Sequence, residues 1–137
     1  MSIDLRRKGT LNQKKTICVA AALLDFTTVG ATTESFKLFN LPENAVITNA
    51  YVHVVTASDA VTSNAGTIGT AEDGSQVLSA ANLKTLGKQG TFTGQSLTGT
   101  GKTIWFKQTV TGAATVGEFL VVVEYLEYNK NTGEYTN

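Results

Sequence analysis

The sequence predicts an all-β fold, a single β-sandwich domain with an extended N-terminal arm and a C-terminal tail. Three observations carry this prediction. The 137 residues include 22 Thr, 13 Val and 13 Gly but one Pro, and branched Cβ atoms suit a pleated sheet while Gly suits turns. Apolar residues alternate in short runs separated by turn residues. The length suits one domain, and we place the arm at residues 1–15, the sandwich at 16–128 and the tail at 129–137.

The first half of the chain contains four strand candidates. Thr16–Leu24 is apolar on both sides, so we expect both sides to be covered. Ser35–Leu41 leads into a turn at Pro42-Glu43-Asn44, where Pro presets the turn and Asn tolerates its corner. The clearest strand is Ala45–Val55, and a short strand follows at Thr67–Thr70. We expect alternate residues of the clearest strand to face the core: Val46, Thr48, Ala50, Val52 and Val54.

The second half begins with a turn at Glu72-Asp73-Gly74, where Gly relieves the backbone. Residues Gln76–Leu86 form the one helix candidate, with one or two turns. Gly87–Gly101 is expected to be a long Gly, Thr and Ser loop with one strand near Thr91–Thr93, and a loop of this length usually contacts something. Strands are then expected at Thr103–Val110 and Gly117–Tyr128.

The last two strands have distinct faces. Ile104 and Phe106 are expected to face the core, while Trp105 and Lys107 share the other face. In the final strand the expected core side chains are Phe119, Val121, Val123 and Tyr125. The reverse face, with Leu120, Val122 and Leu126, is apolar as well, which is an aggregation hazard unless a partner or another segment covers it.

Charge is unevenly distributed along the chain. Arg6, Arg7, Lys8, Lys14 and Lys15 against Asp4 give residues 1–15 a charge of +4, which leaves −4 on the remainder and zero overall. Zero net charge argues against a dedicated nucleic-acid binder, and the interrupted apolar pattern argues against a membrane span. The basic arm has two interpretations, a solvated tail or a segment that docks on a neighbouring subunit. We expect docking, because hydrophilic chain ends become ordered only against other molecules.

No motif predicts catalysis or a cofactor. The segment Ser96–Thr103, SLTGTGKT, lacks the first Gly of a phosphate-binding loop and precedes a strand pattern instead of a helix. His53 and Cys18 are single, so they form no metal-ligand spacing, and Cys18 is expected to pack in its strand while His53 lies at the surface. Glu72 and Asp73 could bind Ca²⁺, but a simple turn explains them. Nothing selects a catalytic pair among the carboxylates Asp25, Glu34, Asp59 and Glu124.

A resemblance rests on Thr67–Leu83, TIGTAEDGSQVLSAANL, together with Ala45–Val52 and Gly117–Tyr128. In these segments and their order, the chain resembles the small jelly-roll cement or decoration proteins of tailed bacteriophages. The resemblance implies a jelly-roll sandwich without enzymatic activity, acting as a homodimer or homotrimer. It also implies a place on the outer surface of the capsid, where the protein would bridge subunits of the major capsid protein. Neither nucleic acid nor a membrane is expected as a partner, on the charge and apolar pattern given above.

The candidate partner-binding residues come from this chain's own composition: Arg6, Arg7, Lys8, Lys14, Lys15, Trp105, Tyr128 and Tyr135. Trp105 shares a face with a lysine, and Trp is enriched where protein contacts concentrate. The alternative function is a carbohydrate-binding or receptor-binding module of a phage tail or fibre, with Trp105 and the Gly87–Gly101 loop as its surface. A hydrolase is the third hypothesis. It ranks last because an ordered nucleophile and base are not evident in the sequence.

Overall fold

The structure is a computed structural model that describes residues 17–94 and 102–127. The predicted arm and tail, and residues 95–101 of the predicted glycine-rich loop, lie outside these residues. The described part of that loop contains two short strands and not one, because Gly87–Gln89 pairs with one sheet and Thr91–Phe92 with the other. The elements in chain order are β1 (Cys18–Leu24), α1 (Phe26–Val29), β2 (Glu34–Leu41), β3 (Ala45–Thr56), β4 (Ser63–Gly69), β5 (Leu78–Asn82), β6 (Gly87–Gln89), β7 (Thr91–Phe92), β8 (Lys102–Thr111) and β9 (Glu118–Glu127).

The strands form two antiparallel sheets. Sheet A has the order β1-β9-β3-β6, and sheet B has the order β2-β8-β4-β5-β7. The chain crosses between the sheets after most strands, while β4 pairs with β5 inside sheet B. Interleaved crossings of this kind make the double Greek key of a jelly roll. The predicted all-β sandwich of jelly-roll type is therefore confirmed.

The core lies between the inner faces of the two sheets. Ile104, Phe106 and Phe119 are completely buried there, and Val121 and Val123 follow on the same side of β9. Their alternation with outward-facing residues is the pattern expected of half-buried antiparallel strands. The predicted core faces of β8 and β9 are confirmed, including Tyr125, which is half-buried against the core.

The inward face of β3 is partly different from the prediction. Val46 and Thr48 were expected in the core, but the completely buried residue in this part of the strand is Ile47. The pairing of β3 with β9 shifts register between Ile47 and Asn49, so Thr48 is an extra residue in the ladder, and its hydroxyl donates to the carbonyl of Glu124. Such a β-bulge shifts by one position which residues of the strand face inward. Beyond the bulge the predicted Ala50, Val52 and Val54 are buried.

The predicted helix at Gln76–Leu86 is wrong, because β5 occupies this segment and pairs with β4. The helix-like spacing has a local cause. Ala80 has a positive φ of 56°, and the register against β4 shifts between Gly66 and Ile68. This irregularity separates buried Leu78 from buried Ala81 by three residues, which imitates helical periodicity in a strand.

The helix α1 was not predicted. It is one turn long, and Asp25 caps its N-terminus by accepting a hydrogen bond from the Thr28 backbone N–H at 3.1 Å. The Thr27 hydroxyl, followed by the Thr28 N–H, lowers the pKa of the Asp25 carboxyl. The turn ends at Gly30 with a φ of 65°, a conformation that Gly adopts readily. Asp25 therefore has a structural role, which is to cap this helix.

The two predicted turns form where expected. Asn44 has a φ of 55° before β3, which confirms its position at the corner of the turn. In the second turn the residue with positive φ is Asp73, at 62°, and not Gly74. Gly74 is needed for space instead, since a Cβ there would lie 2.9 Å from the carbonyl oxygen of Ala71.

Candidate functional site

The first candidate surface is β1, which forms one end of sheet A. The prediction that both sides of this strand are covered is wrong for its outward side. The side chains of Val19 and Leu23 are both 59% exposed, and Ile17 just before the strand is 56% exposed. The sequence showed an apolar strand but not that its place is at an edge, where only one neighbouring strand can shield it.

The outward apolar side chains of β1 continue onto β9. Leu23 pairs with Leu120, and Ala21 pairs with Val122. We name the surface formed by Val19, Ala21, Leu23 and Leu120 the apolar edge. Val122, which the sequence placed on the apolar reverse face of the last strand, is only 4% exposed and is therefore covered. One carboxylate borders the apolar edge, since Val19 pairs with Glu124 of β9. Exposed apolar surface on a sheet edge is typical of sites that bind another polypeptide.

On its other flank the apolar edge meets β3 and β6. Tyr51 pairs with Val122 across β3 and β9, and the ammonium of Lys88 lies 4.8 Å from the centre of the Tyr51 ring. His53 is exposed on the same outward face of β3, as predicted for a surface residue. The polar groups at this flank limit the apolar surface to the β1 side of sheet A.

The side chains on the inward side of β1 are mostly only partly buried. Cys18, Ala20 and Ala22 are partly exposed, and Leu24 at the end of the strand is buried. Cys18 pairs with Tyr125 of β9, and burial raises the pKa of the Tyr125 hydroxyl. The sandwich therefore opens to solvent along this strand, on both its outward and its inward side.

The second candidate surface is the outward face of sheet B around Trp105. This half-buried side chain pairs with Lys37 of β2 on one flank and with Gly69 of β4 on the other. Lys107, two residues further along, forms an ion pair of 3.4 Å with Asp73. The expectation that Trp105 and Lys107 share an outward face is confirmed, and the mixture of an aromatic ring and cations suits contact with a protein or a sugar.

Asp73 fixes the turn that borders Trp105. Its carboxylate accepts a hydrogen bond from the Ser35 hydroxyl and pairs with Lys107. The Ser35 hydrogen bond, followed by the Lys107 charge, lowers the pKa of the Asp73 carboxyl. Among residues 17–94 and 102–127 there is no cluster of three or more His, Cys, Asp or Glu side chains that could hold a metal.

A third carboxylate joins two loops at one end of the sandwich. Asp59 accepts hydrogen bonds from the Thr115 hydroxyl, from the Thr115 backbone N–H at 2.6 Å and from the Val116 N–H at 3.1 Å. These bonds, with the Thr115 hydroxyl contributing most, lower the pKa of Asp59 to about 2. Asp59 is thus a structural clamp that stays ionised in neutral and weakly acidic solution.

The remaining predicted residues have different locations. Arg6, Arg7, Lys8, Lys14, Lys15, Tyr128 and Tyr135 lie outside the described residues, and Trp105 is the one member of the predicted partner-binding set within them. Lys102, which ends the glycine-rich segment, begins strand β8. No helix N-terminus follows Lys102, and the phosphate-loop resemblance therefore lacks the geometry that binds phosphate.

One cavity of about 440 Å³ lies against β4 and β5. Its lining is Thr62, Ser63, Asn64, Ala65, Ala80, Ala81, Asn82 and Lys84. Lys84 is the one ionisable side chain in this set, so the cavity holds no pair of groups for acid and base catalysis. None of the helices in the described parts of the chain is long and apolar enough to cross a membrane.

The comparison with known proteins finds similarity in structure but not in sequence. No protein-family model and no curated protein sequence matches the chain. A chain of the acidic stable capsid structure of Helicobacter pylori bacteriophage KHP30 aligns with a TM-score of 0.60 at 14% identity, covering 83% of this chain and 92% of that one. A chain of the capsid asymmetric unit of cyanophage Pam1 aligns with a TM-score of 0.62 at 18% identity, covering 82% and 85%. At these identities the alignments show a shared fold.

Proposed function

We propose that this chain is a structural protein of a tailed-phage virion, a head decoration or cement protein. It binds the outer capsid surface and bridges subunits of the major capsid protein, without catalysis or a cofactor. The observation that supports this most is the match of nearly the whole jelly roll to chains of two phage capsids. The resemblance of the Thr67–Leu83 segment to phage decoration proteins points the same way.

The two candidate surfaces suit a bridging role because they lie on opposite sides of the molecule. The apolar edge faces outward from sheet A, and Trp105 faces outward from sheet B. A small sandwich with two separate contact surfaces can touch two neighbours at once. Each contact is modest, but a symmetric shell repeats it, and attachment at one point raises the effective concentration at the next.

The basic residues Arg6, Arg7, Lys8, Lys14 and Lys15 have a role in the same proposal. Their charge favours an acidic patch on the capsid subunit, so their share of binding is expected to weaken as salt is raised. Deletion of residues 1–15 is expected to leave a folded domain that no longer binds shells. Retained binding by a truncated domain with an unchanged thermal melt would contradict this role.

The proposal is tested on purified particles. Gradient-purified phage particles are probed by mass spectrometry for this chain and by immunogold labelling for its position, with label expected over the outside of the head. Shells stripped of this protein are expected to rupture at a lower temperature and to regain stability when the purified protein is added back. Label confined to tails, or its absence from particles, would contradict a decoration role.

The alternative, a carbohydrate-binding or receptor-binding module of a tail or fibre, is favoured by one observation. Trp105 remains partly exposed on an outward face with Lys37 beside it, and an exposed ring of this kind can stack on a sugar. Binding on a glycan array that Trp105→Ala abolishes would favour this function. The control is His53→Ala, an exposed residue on the opposite sheet, which is expected to leave glycan binding unchanged.

A further inference from the structure

The free side of β1 has the properties of a strand that pairs with another strand. Within the described ranges, β1 is hydrogen-bonded to β9 on one side and ends sheet A on the other. Its seven residues, CVAAALL, include no charge and no proline. Natural edge strands are normally protected by charges, prolines or bulges, and β1 pairs with β9 in continuous register with none of these.

Exposure on both sides of β1 indicates what kind of occupant fits. Val19 and Leu23 are exposed on the outward side, while Ala20 and Ala22 are partly exposed on the inward side. A partner lying flat on sheet A would cover the outward side chains alone. A strand added in the plane of the sheet lies beside both sets and also satisfies the backbone groups of the open edge.

The four sheet edges formed by the described strands indicate which occupant fits β1. The other edge strands among the described residues are β6, β2 and β7. β6 carries Lys88, and β7 has two residues. β2 carries Glu34 and Lys37 and contains a bulge. Of these edges, β1 alone is a long, regular and uncharged strand that is apolar on both faces. The edge that best complements β1 is therefore β1 of a second copy.

We propose that two copies of this chain pair through β1 in antiparallel orientation about a twofold axis at Ala21. This register sets Val19 opposite Leu23 of the second copy, Ala20 opposite Ala22, and Cys18 opposite Leu24. All pairs are apolar, and small side chains meet at the centre while larger ones flank them, which is favourable for cross-strand packing. The result joins the two four-stranded sheets A into one continuous sheet, and the isologous contact closes at two copies.

This inference does not depend on the virion role, since it concerns the purified protein in solution. The twofold register makes a specific charge test possible. Leu23→Lys places an ammonium opposite Val19 of the other copy at two symmetric positions. It is expected to weaken dimerisation about tenfold, because at each position an apolar pair is replaced by a charge that faces an apolar side chain. Leu86→Lys is the matched control, since Leu86 is 64% exposed and lies outside β1.

The double variant Val19→Glu/Leu23→Lys tests the register itself. The double variant and the Leu23→Lys protein compared with it both carry Glu124→Gln, because Glu124 pairs with Val19 inside sheet A and would repel a carboxylate there. In the proposed pairing each new carboxylate faces an ammonium of the other copy, so dimerisation is expected to recover relative to Leu23→Lys. Sedimentation equilibrium of each full-length protein over a range of concentrations measures the association. Circular dichroism verifies that each is folded, and Val19→Lys replaces Leu23→Lys if the latter does not fold.

The expected result is a wild-type dimer, a weaker Leu23→Lys dimer, and wild-type behaviour for Leu86→Lys. A trimer, a dimer that is indifferent to Leu23→Lys, or a double variant no better than Leu23→Lys would overturn the proposal. So would a wild-type monomer at all concentrations. In a monomer, protection of β1 amides from hydrogen exchange would assign the edge to residues 1–16 or 128–137 of the same chain instead.

Discussion

Replacing Gln108 by leucine tests whether a buried amide network holds sheet B to the segment after β1. Gln108 is 1% exposed on the inner side of β8. Its side-chain nitrogen donates toward the carbonyls of Val29, Gly30 and Thr32 at 3.3, 3.3 and 3.1 Å. Its oxygen accepts from the Asn64 amide at 3.1 Å. Gln108→Leu has similar volume but removes every one of these bonds.

The magnitude follows from the number of bonds that the side chain can make at once. An amide nitrogen has two protons, so Gln108 supplies two donated bonds at a time and one accepted bond. At about 1 kcal/mol for each net hydrogen bond, the loss is about 3 kcal/mol. Part of the loss is offset because leucine buries more apolar surface, whereas carbonyls left without a donor add to it. We expect a decrease of about 2–4 kcal/mol in the free energy of unfolding.

Urea unfolding measures this decrease, with the fluorescence of Trp105 as the signal. Trp105 is the one tryptophan in the chain and lies on β8 with Gln108. Gln89→Leu is the control, since Gln89 is partly exposed and makes one long bond to the Leu86 carbonyl at 3.3 Å; a change within about 0.5 kcal/mol is expected there. A Gln108→Leu protein within the same margin of wild type would refute the reasoning.

Two further changes test packing and pH dependence. Gly66→Ala puts a Cβ 2.8 Å from the Cε2 atom of Phe106, and it is expected to lower the free energy of unfolding by about 1–3 kcal/mol through overpacking, as measured by the urea midpoint. The Asp59 clamp gives a pH effect of known sign. Because folding lowers its pKa from 3.8 to about 2, its stabilisation is complete above pH 3.8 and is lost as the pH falls toward 2. The urea midpoints of wild type and Asp59→Asn are therefore expected to differ at pH 6 and to converge near pH 2.

Each of these predictions has a companion variant. Phe106→Leu removes the aromatic ring that the Gly66→Ala methyl group approaches, so the double variant is expected to be more stable than the sum of the single losses predicts. Thr115→Val removes the hydroxyl that contributes most to the lowered pKa of Asp59, so the acid-dependent loss of stability is expected to be smaller and to end at a higher pH than in wild type. Additive losses in the first pair, or an unchanged acid profile in the second, would contradict the contacts described above.

Local chemistry in the sequence was sufficient for much of the fold. The alternation of Phe119, Val121 and Val123 predicted the inward face of β9, because side chains alternate across any extended strand regardless of its neighbours. Asn44 predicted the corner of its turn for a similar reason, since tolerance of positive φ is a property of the residue itself. Trp105 was placed correctly on an outward face by the same alternation.

Tertiary pairing decided what local pattern could not. Thr48 and Ala80 are bulge positions, and a bulge exists only relative to the strand opposite. Local pattern therefore did not predict that Ile47 replaces Val46 in the core or that β5 is a strand. The position of a strand within a sheet is likewise a property of the whole fold. β1 was predicted as an apolar strand, but only the order β1-β9-β3-β6 placed Val19 and Leu23 at an open edge, because exposure depends on which neighbours a strand lacks.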